Sequence, residues 1–245
     1  MTTDYDAIAE KYQRAKRQPW RTHIEAFTLL GLLGDLRGKA VVDLACGEGY
    51  YTRLLRQLGA DPVLGIDLSE GMIELARRQE ADRPLGIEYR VGDGRCLDLP
   101  PVYDLAVAAY LLNYAASREE LAAMCCGIAG CLKPSGRFIT ANTTPGLDFR
   151  STPSYRSYGM EARLVGEPRE GAPILWTFWL EDGPIEVENY FLDVAAHEEA
   201  LRDAGFCEVR WHQPRLSAAG AADFGRDFWA TFLEHPPVIF LECRK

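Results

Sequence analysis

Val41-Val-Asp-Leu-Ala-Cys-Gly-Glu-Gly49 is a short apolar, β-branched run that ends in an acidic residue and then breaks at two glycines. The apolar part predicts a buried strand over 39–44. The following stretch, Tyr50–Leu58, repeats Leu54, Leu55 and Leu58 at helical spacing and predicts a helix. Glycine lets a backbone pass close to a ligand in conformations that a Cβ would block. A helix start adds N–H groups that have no partner within the helix. Twenty residues after Gly47, Asp67 closes a second strand, Pro62–Asp67. In doubly wound sheets an acidic residue at that place accepts hydrogen bonds from ribose hydroxyls. The strand, turn and acidic partner together predict a ligand that contains a nucleoside.

The same alternation continues outward. Ser69 is placed to cap a helix with Met72, Ile73, Leu75 and Ala76 on its inner face, and Ile87–Val91 and Tyr103–Tyr110 read as strands. Ser117 opens a helix with Glu119 and Glu120 in its first turn, where negative charge suits the helix dipole; Lys133-Pro-Ser-Gly136 ends it, and Arg137–Ala141 is a fifth strand. Strands apolar on both faces, alternating with helices, predict an α/β protein with a parallel sheet covered on two sides. Beyond it, 143–173 reads as a loop-rich insertion. Ile174–Leu180 and Ile185–Leu192 flank Glu-Asp-Gly-Pro as a β-hairpin; a helix over 194–204, a strand over 207–212, a helix over 226–233 and a strand over 238–243 complete the chain. One domain over 1–245, with a lid over 1–35 and a substrate-covering insertion over 143–193, is the expected organisation.

Composition narrows the functions. The chain of 245 residues is 47% hydrophobic and 26% charged, as in globular proteins, and 27 Lys+Arg against 36 Asp+Glu leave a net charge of −9. That sign repels phosphate backbones, so no nucleic-acid partner is expected. The apolar stretches 105–117 and 121–132 fall short of a bilayer span of about 20 residues, and the first residues lack a signal peptide's basic flank, so no membrane partner and a cytoplasmic location are expected. Seven cysteines with no C-x-x-C spacing predict reduced, buried thiols and no metal centre.

The kind of nucleoside follows from departures within the turn. A dinucleotide fingerprint asks for a third glycine where this chain has Thr52, and Asp43 would repel a pyrophosphate. An acidic strand end suits a cationic ligand such as an amino acid's ammonium. Asp43-x-x-x-Gly47-x-Gly49 with Asp67 resembles the class I S-adenosylmethionine-dependent methyltransferases. Further residues carry the likeness: Val91-Gly-Asp-Gly94, Tyr103-Asp-Leu-Ala-Val-Ala-Ala-Tyr110, Leu132-Lys-Pro-Ser-Gly136 and Gly205-Phe-Cys-Glu-Val209. It covers 1–142 and 194–245. The resemblance implies a Rossmann-like, seven-stranded, mostly parallel sheet with an antiparallel last strand, and binding at the carboxyl ends of the strands. Asp93 matches the acidic residue placed near the adenine amine.

On that basis S-adenosylmethionine, without a metal, is the expected cofactor. Asp43, Ala45, Cys46, Gly47 and Gly49 would meet it from the first turn, Asp67, Leu68 and Met72 from the second, and Asp93, Gly94 and Ala109 from the third and fourth strands. Tyr12 and Arg21 would close over it from the N-terminal segment, although Arg21 reads equally as a solvated surface residue. Tyr5-Asp-Ala-Ile-Ala-Glu-Lys-Tyr12 and Gln18-Pro-Trp-Arg21 look like the lid helix of small-molecule methyltransferases; with the Trp/Phe-rich hairpin and the ending Glu234-His-Pro-Pro-Val-Ile-Phe-Leu-Glu-Cys243, the chain resembles enzymes that methylate ring nitrogens of an azapteridine-like precursor. Such an acceptor is planar and heteroaromatic, which aromatic walls suit. Trp20, Tyr110, Asn113, Tyr114, Trp176 and Trp179 are the candidate walls, while Trp176, Phe178 and Tyr190 also read as the insertion's own core. No histidine stands out as a general base, and Tyr5 is the candidate to hydrogen-bond and orient the acceptor. Alternative expectations are an O- or C-methyltransferase on a phenol or quinone, a nicotinamide-dependent oxidoreductase, and a non-catalytic adenosylhomocysteine-binding module. A monomer or weak homodimer is expected.

Overall fold

The computed structural model describes residue 11 and residues 13–245, and the candidates Tyr5 and Tyr12 lie outside the described residues. Its frame is a seven-stranded sheet of β1 (Val41–Leu44), β2 (Val63–Asp67), β3 (Glu88–Val91), β4 (Tyr103–Ala109), β5 (Leu132–Thr143), β9 (Glu208–His212) and β10 (Val238–Arg244). The spatial order is β3-β2-β1-β4-β5-β10-β9. The first five strands pair in parallel, and β10 runs antiparallel to both β5 and β9. The chain reverses direction across the sheet at β1, between β2 and β4. Ligands of open α/β sheets bind at such switch points, beyond the carboxyl ends of the strands.

Strand residues point alternately to the two faces. Val41, Val63, Leu105, Val107, Ile139 and Phe240 fill one core, whereas Val42, Leu44, Leu64, Ile66, Ala106, Phe138 and Leu241 fill the other. Helices close both faces. Arg21–Ala26, wound in wide π-helical turns, runs into α1 (Phe27–Leu33), and α2 (Tyr50–Gln57) follows β1. In α3 (Glu70–Asp82) the Ser69 hydroxyl caps the start by accepting from the Met72 N–H at 3.1 Å. In α4 (Arg118–Cys131) Ser117 accepts from the Glu120 N–H at 3.3 Å, and the Glu120 carboxylate reaches back to the Ala116 N–H at 2.8 Å. Asp193 caps α5 (Val194–Asp203) through the Ala196 N–H at 2.7 Å.

The insertion holds more order than its composition suggested. β6 (Met160–Leu164) lies within the stretch expected to be loop and pairs antiparallel with β7 (Pro173–Phe178), which pairs with β8 (Ile185–Tyr190). The register aligns Ala162, Trp176 and Val187 in one row and Met160, Phe178 and Ile185 in the next. A five-residue strand among prolines and glycines carries little local signal, so the partner strand decides it. Likewise the single helix expected over 226–233 is two pieces, a 3-10 turn at Asp227–Trp229 and α7 (Ala230–Glu234), and an unexpected helix, α6 (Ala218–Phe224), precedes them. Gly225, at φ 79°, ends α6. The cysteines depart in part from expectation. All seven are free thiols, but Cys96, Cys126 and Cys207 are exposed. No helix among the described residues is long and apolar enough to cross a membrane.

Candidate functional site

A cavity of about 170 Å³ opens at the carboxyl ends of the central strands, between the turns after β1, β2 and β3. It brings together Asp43, Ala45, Cys46, Gly47, Asp67, Leu68, Met72, Asp93, Gly94 and Ala109, with Arg21 and Tyr110 on its walls. Gly49 does not line it. That glycine stands at φ 86° as the residue before α2, and a Cβ there would lie 2.4 Å from the Tyr89 hydroxyl. Its absent side chain serves packing, while that of Gly47 leaves space. At Gly47, φ 57°, a Cβ would stand 3.2 Å from Lys16 Nζ, also a cavity residue.

The carboxylates set the electrostatics. Asp43 is 1% exposed and accepts a hydrogen bond from the Thr52 hydroxyl at 2.6 Å. Burial pushes its carboxyl up to about 7, opposed by the Thr52 hydrogen bond and the charge of Lys16. Asp67 accepts the Gly47 N–H at 2.7 Å and the Ser69 N–H at 2.9 Å, and burial raises it too. Glu48 adds a third carboxylate, bonded by Lys16 at 2.9 Å. Asp43 and Asp67 face the same ligand space, which favours a ligand that brings positive charge. At the rim Asp93 is held by Arg95 at 2.7 Å, which lowers its carboxyl, and Leu68 is 59% exposed.

Arg21 and Glu25 face each other one helical turn apart, Nη1 to Oε2 at 2.8 Å, with side chains 5% and 2% exposed. Glu25 also receives the Tyr51 hydroxyl at 2.6 Å and the Tyr110 hydroxyl, and it lines the cavity. Sequence reasoning passed over Glu25 and Lys16. A usable signal existed for the first: Arg21 and Glu25 share the helical stripe of buried Thr28 and Leu29, so two charges sit on an apolar face.

A second, apolar space of about 20 Å³ adjoins, shared with the first through Arg21, Tyr110 and Tyr114. Trp20, Trp176 and Phe178 form its aromatic walls, with Met160, Val187 and Val238. The buried Trp176 indole N–H has no partner among the described residues. Asn113 and Trp179 line neither space. Asn113 is buried and donates its backbone N–H to Asn142 at 3.1 Å, and Trp179 lies under the Arg156 guanidinium, 3.3 Å from its ring centre.

Comparison with known proteins agrees with this layout. Residues 41–136 match a family described as a methyltransferase domain. The ubiquinone biosynthesis O-methyltransferase of Bordetella avium is 30% identical over 157 residues, which cover 57% of this chain and 64% of that protein. The chain thus spans under two thirds of that relative's length. The N-demethylindolmycin N-methyltransferase of Streptomyces griseus is 26% identical over 178 residues, or 69% of this chain and 70% of that one. Among solved structures, an S-adenosylmethionine-dependent methyltransferase from Mesorhizobium loti shares the fold with a TM-score of 0.66 at 24% identity, covering 94% of this chain and 100% of that chain. The strand order β3-β2-β1-β4-β5-β10-β9 and the matched segment point the same way: residues 41–136 are similar to a methyltransferase domain, and the chain has the Rossmann-like fold seen in S-adenosylmethionine-dependent methyltransferases.

Proposed function

We propose that the protein is an S-adenosylmethionine-dependent N-methyltransferase that acts on a small planar heterocycle, in the manner of toxoflavin synthase. The observation that carries the cofactor is the buried Asp43, 1% exposed in a cleft it shares with Asp67. A ligand with an ammonium, a sulfonium and a ribose fits that donor set, and a pyridine dinucleotide's pyrophosphate does not. Asp43 would take the ammonium and Asp67 the ribose, while Leu68, Met72 and Asp93 would flank the base. Gly47 leaves the backbone bare where the ligand would pass. When bound, S-adenosylmethionine supplies a methyl group on a sulfonium, transferred by direct in-line displacement. The chain's part is mainly positioning, which can contribute on the order of 7–11 kcal/mol. Carboxylates against the reacting sulfur would favour the ground state, so these groups belong at the cofactor's periphery.

The aromatic residues beside Tyr110 suit a planar acceptor that would reach them from the larger cavity, with which their space shares Arg21, Tyr110 and Tyr114. Trp20, Tyr110, Tyr114, Trp176 and Phe178 offer flat faces there, and the Trp176 indole would give one hydrogen bond to a ring carbonyl. The three-stranded insertion would cover it. Tyr5, as orienting group, and Tyr12 remain proposals from the sequence, as does a monomer or weak homodimer. Incubation with methyl-labelled S-adenosylmethionine and a panel of planar N–H heterocycles is the direct test. Label on a ring nitrogen is the expected product. Label only on phenols or quinones would favour O- or C-methylation, the reading that the Bordetella avium likeness supports.

A further inference from the structure

We propose that Tyr110 and Glu25 form a proton relay to the methyl acceptor, so that the acceptor's reacting nitrogen or oxygen carries a hydrogen. The inference rests on the methyltransferase reading and adds the residues that take up the acceptor's proton. Burying a carboxylate costs several kcal/mol unless it is paired. The Arg21 guanidinium, 2.8 Å from Oε2, already meets that need for Glu25. Two phenols are added. Tyr51 donates to Oε1 at 2.6 Å and Tyr110 donates to Oε2. Tyr110 follows the last residue of β4 at φ 68°, a left-handed conformation uncommon outside glycine, which tends to persist at functional sites. From there its side chain borders both the cofactor cavity and the aromatic space. Glu25 itself sits in π-helical turns, another feature enriched at such sites.

The chemistry follows from one proton. A phenol has a single O–H. Tyr110 gives it to Glu25, so towards a substrate its oxygen acts as acceptor, and the group that meets it is an N–H or O–H. During transfer the acceptor's N–H or O–H bond breaks as its new bond to carbon forms. That proton passes to Tyr110 Oη, the tyrosine's own proton moves to Oε2 of Glu25, and the methyl donor's sulfonium becomes a neutral thioether. The carboxylate's negative charge and the sulfonium's positive charge disappear together. Burial and the charge of Glu25 push the Tyr51 phenol up, so it keeps its proton and fixes the carboxylate. Tyr110 is the catalytic residue, and Glu25 is the positioning residue that takes up the proton through it. Tertiary amines and thioethers, which have no such hydrogen, are excluded as acceptors.

The test measures binding to the full chain of adenosylhomocysteine, and then, with that compound saturating, of two fluorescent probes. Lumazine is a planar pteridinedione with two ring N–H groups, and 1,3-dimethyllumazine has methyl groups at both. The wild type is expected to bind lumazine about tenfold more tightly than the dimethyl probe. Tyr110→Phe and Glu25→Gln each erase that preference by weakening lumazine more than dimethyllumazine, a selective change that a loss of structure would not produce. Equal affinity of the wild type for both probes, no saturable lumazine binding, or a preference retained in Tyr110→Phe overturns the relay. Tyr110→Phe removes one oxygen atom and decides the matter if Glu25→Gln does not fold. Absence of adenosylhomocysteine binding to the wild type would instead overturn the methyltransferase reading.

Discussion

At Asp43 the loss of water outweighs a hydrogen bond and a nearby cation, and the carboxyl rises to about 7 from 3.8. The folded state therefore holds the proton more tightly than the unfolded chain. The stabilisation is complete below the unfolded value and is lost as pH rises through about 7. Asp43→Asn, which keeps an acceptor for Thr52, should raise the melting temperature of the ligand-free protein, and by more at about pH 8 than at about pH 5. Ligand binding should run the other way. An ammonium favours the carboxylate, so adenosylhomocysteine affinity should rise between about pH 6 and pH 8, and Asp43→Asn should flatten that rise and weaken binding at least about tenfold at the upper end. Calorimetry across that range checks both, and a flat wild-type profile would remove Asp43 from the ligand site. This residue was legible in sequence because it ends an apolar strand before two glycines. For Glu25 the sequence offered only a charge on an apolar helical stripe; its role depends on Tyr51 and Tyr110, 26 and 85 positions away, converging on one carboxylate.

Within the element that joins β1 to α2, two glycines two residues apart have different tasks. Gly49→Ala drives a Cβ to 2.4 Å from the Tyr89 hydroxyl and 2.9 Å from its ring at a residue with φ 86°. Tyr89 is 5% exposed and cannot swing clear without opening the packing around β3. The expected loss is on the order of 2–3 kcal/mol in denaturant unfolding, with affinity for adenosylhomocysteine nearly kept in the folded fraction. Gly47→Ala meets the flexible end of Lys16 at 3.2 Å and Met72 Sδ at an ordinary 4.0 Å, so the stability loss should be about 1 kcal/mol while affinity falls about tenfold. Equal effects of the two substitutions on binding would sink this division of roles. The glycine pattern itself is local and readable. β6 and α6 were missed because short segments take their state from the partners they pack against.

For the whole molecule, a two-faced sheet leaves one opening where the winding reverses, and several carboxylates meet there. A ligand that binds only the folded state stabilises it by mass action, by about 2.7 kcal/mol at a hundredfold excess over its dissociation constant. A thermal shift with adenosylhomocysteine and none with NADH is the expected result. A shift with NADH alone would return the nicotinamide reading. The negative character of the cleft follows the overall charge of −9, but charge count alone did not say where the carboxylates gather.

Periodicity, caps and the Val41–Gly49 turn specify strands, helices and a nucleoside cradle, because these depend on residues within a few positions of one another. The positions of Asp43 and Asp67 at strand ends follow from them, whereas seven strands with an antiparallel last one were implied by the family resemblance and their order is fixed by the tertiary structure. The buried Arg21–Glu25–Tyr110 cluster, the third strand of the insertion and the apolar space beside Trp176 belong to the tertiary structure alone. Each is made by side chains from elements far apart in sequence. Their burial, and with it their chemistry, exists only once the helix before α1, the end of β4 and the insertion sheet have closed around the same space.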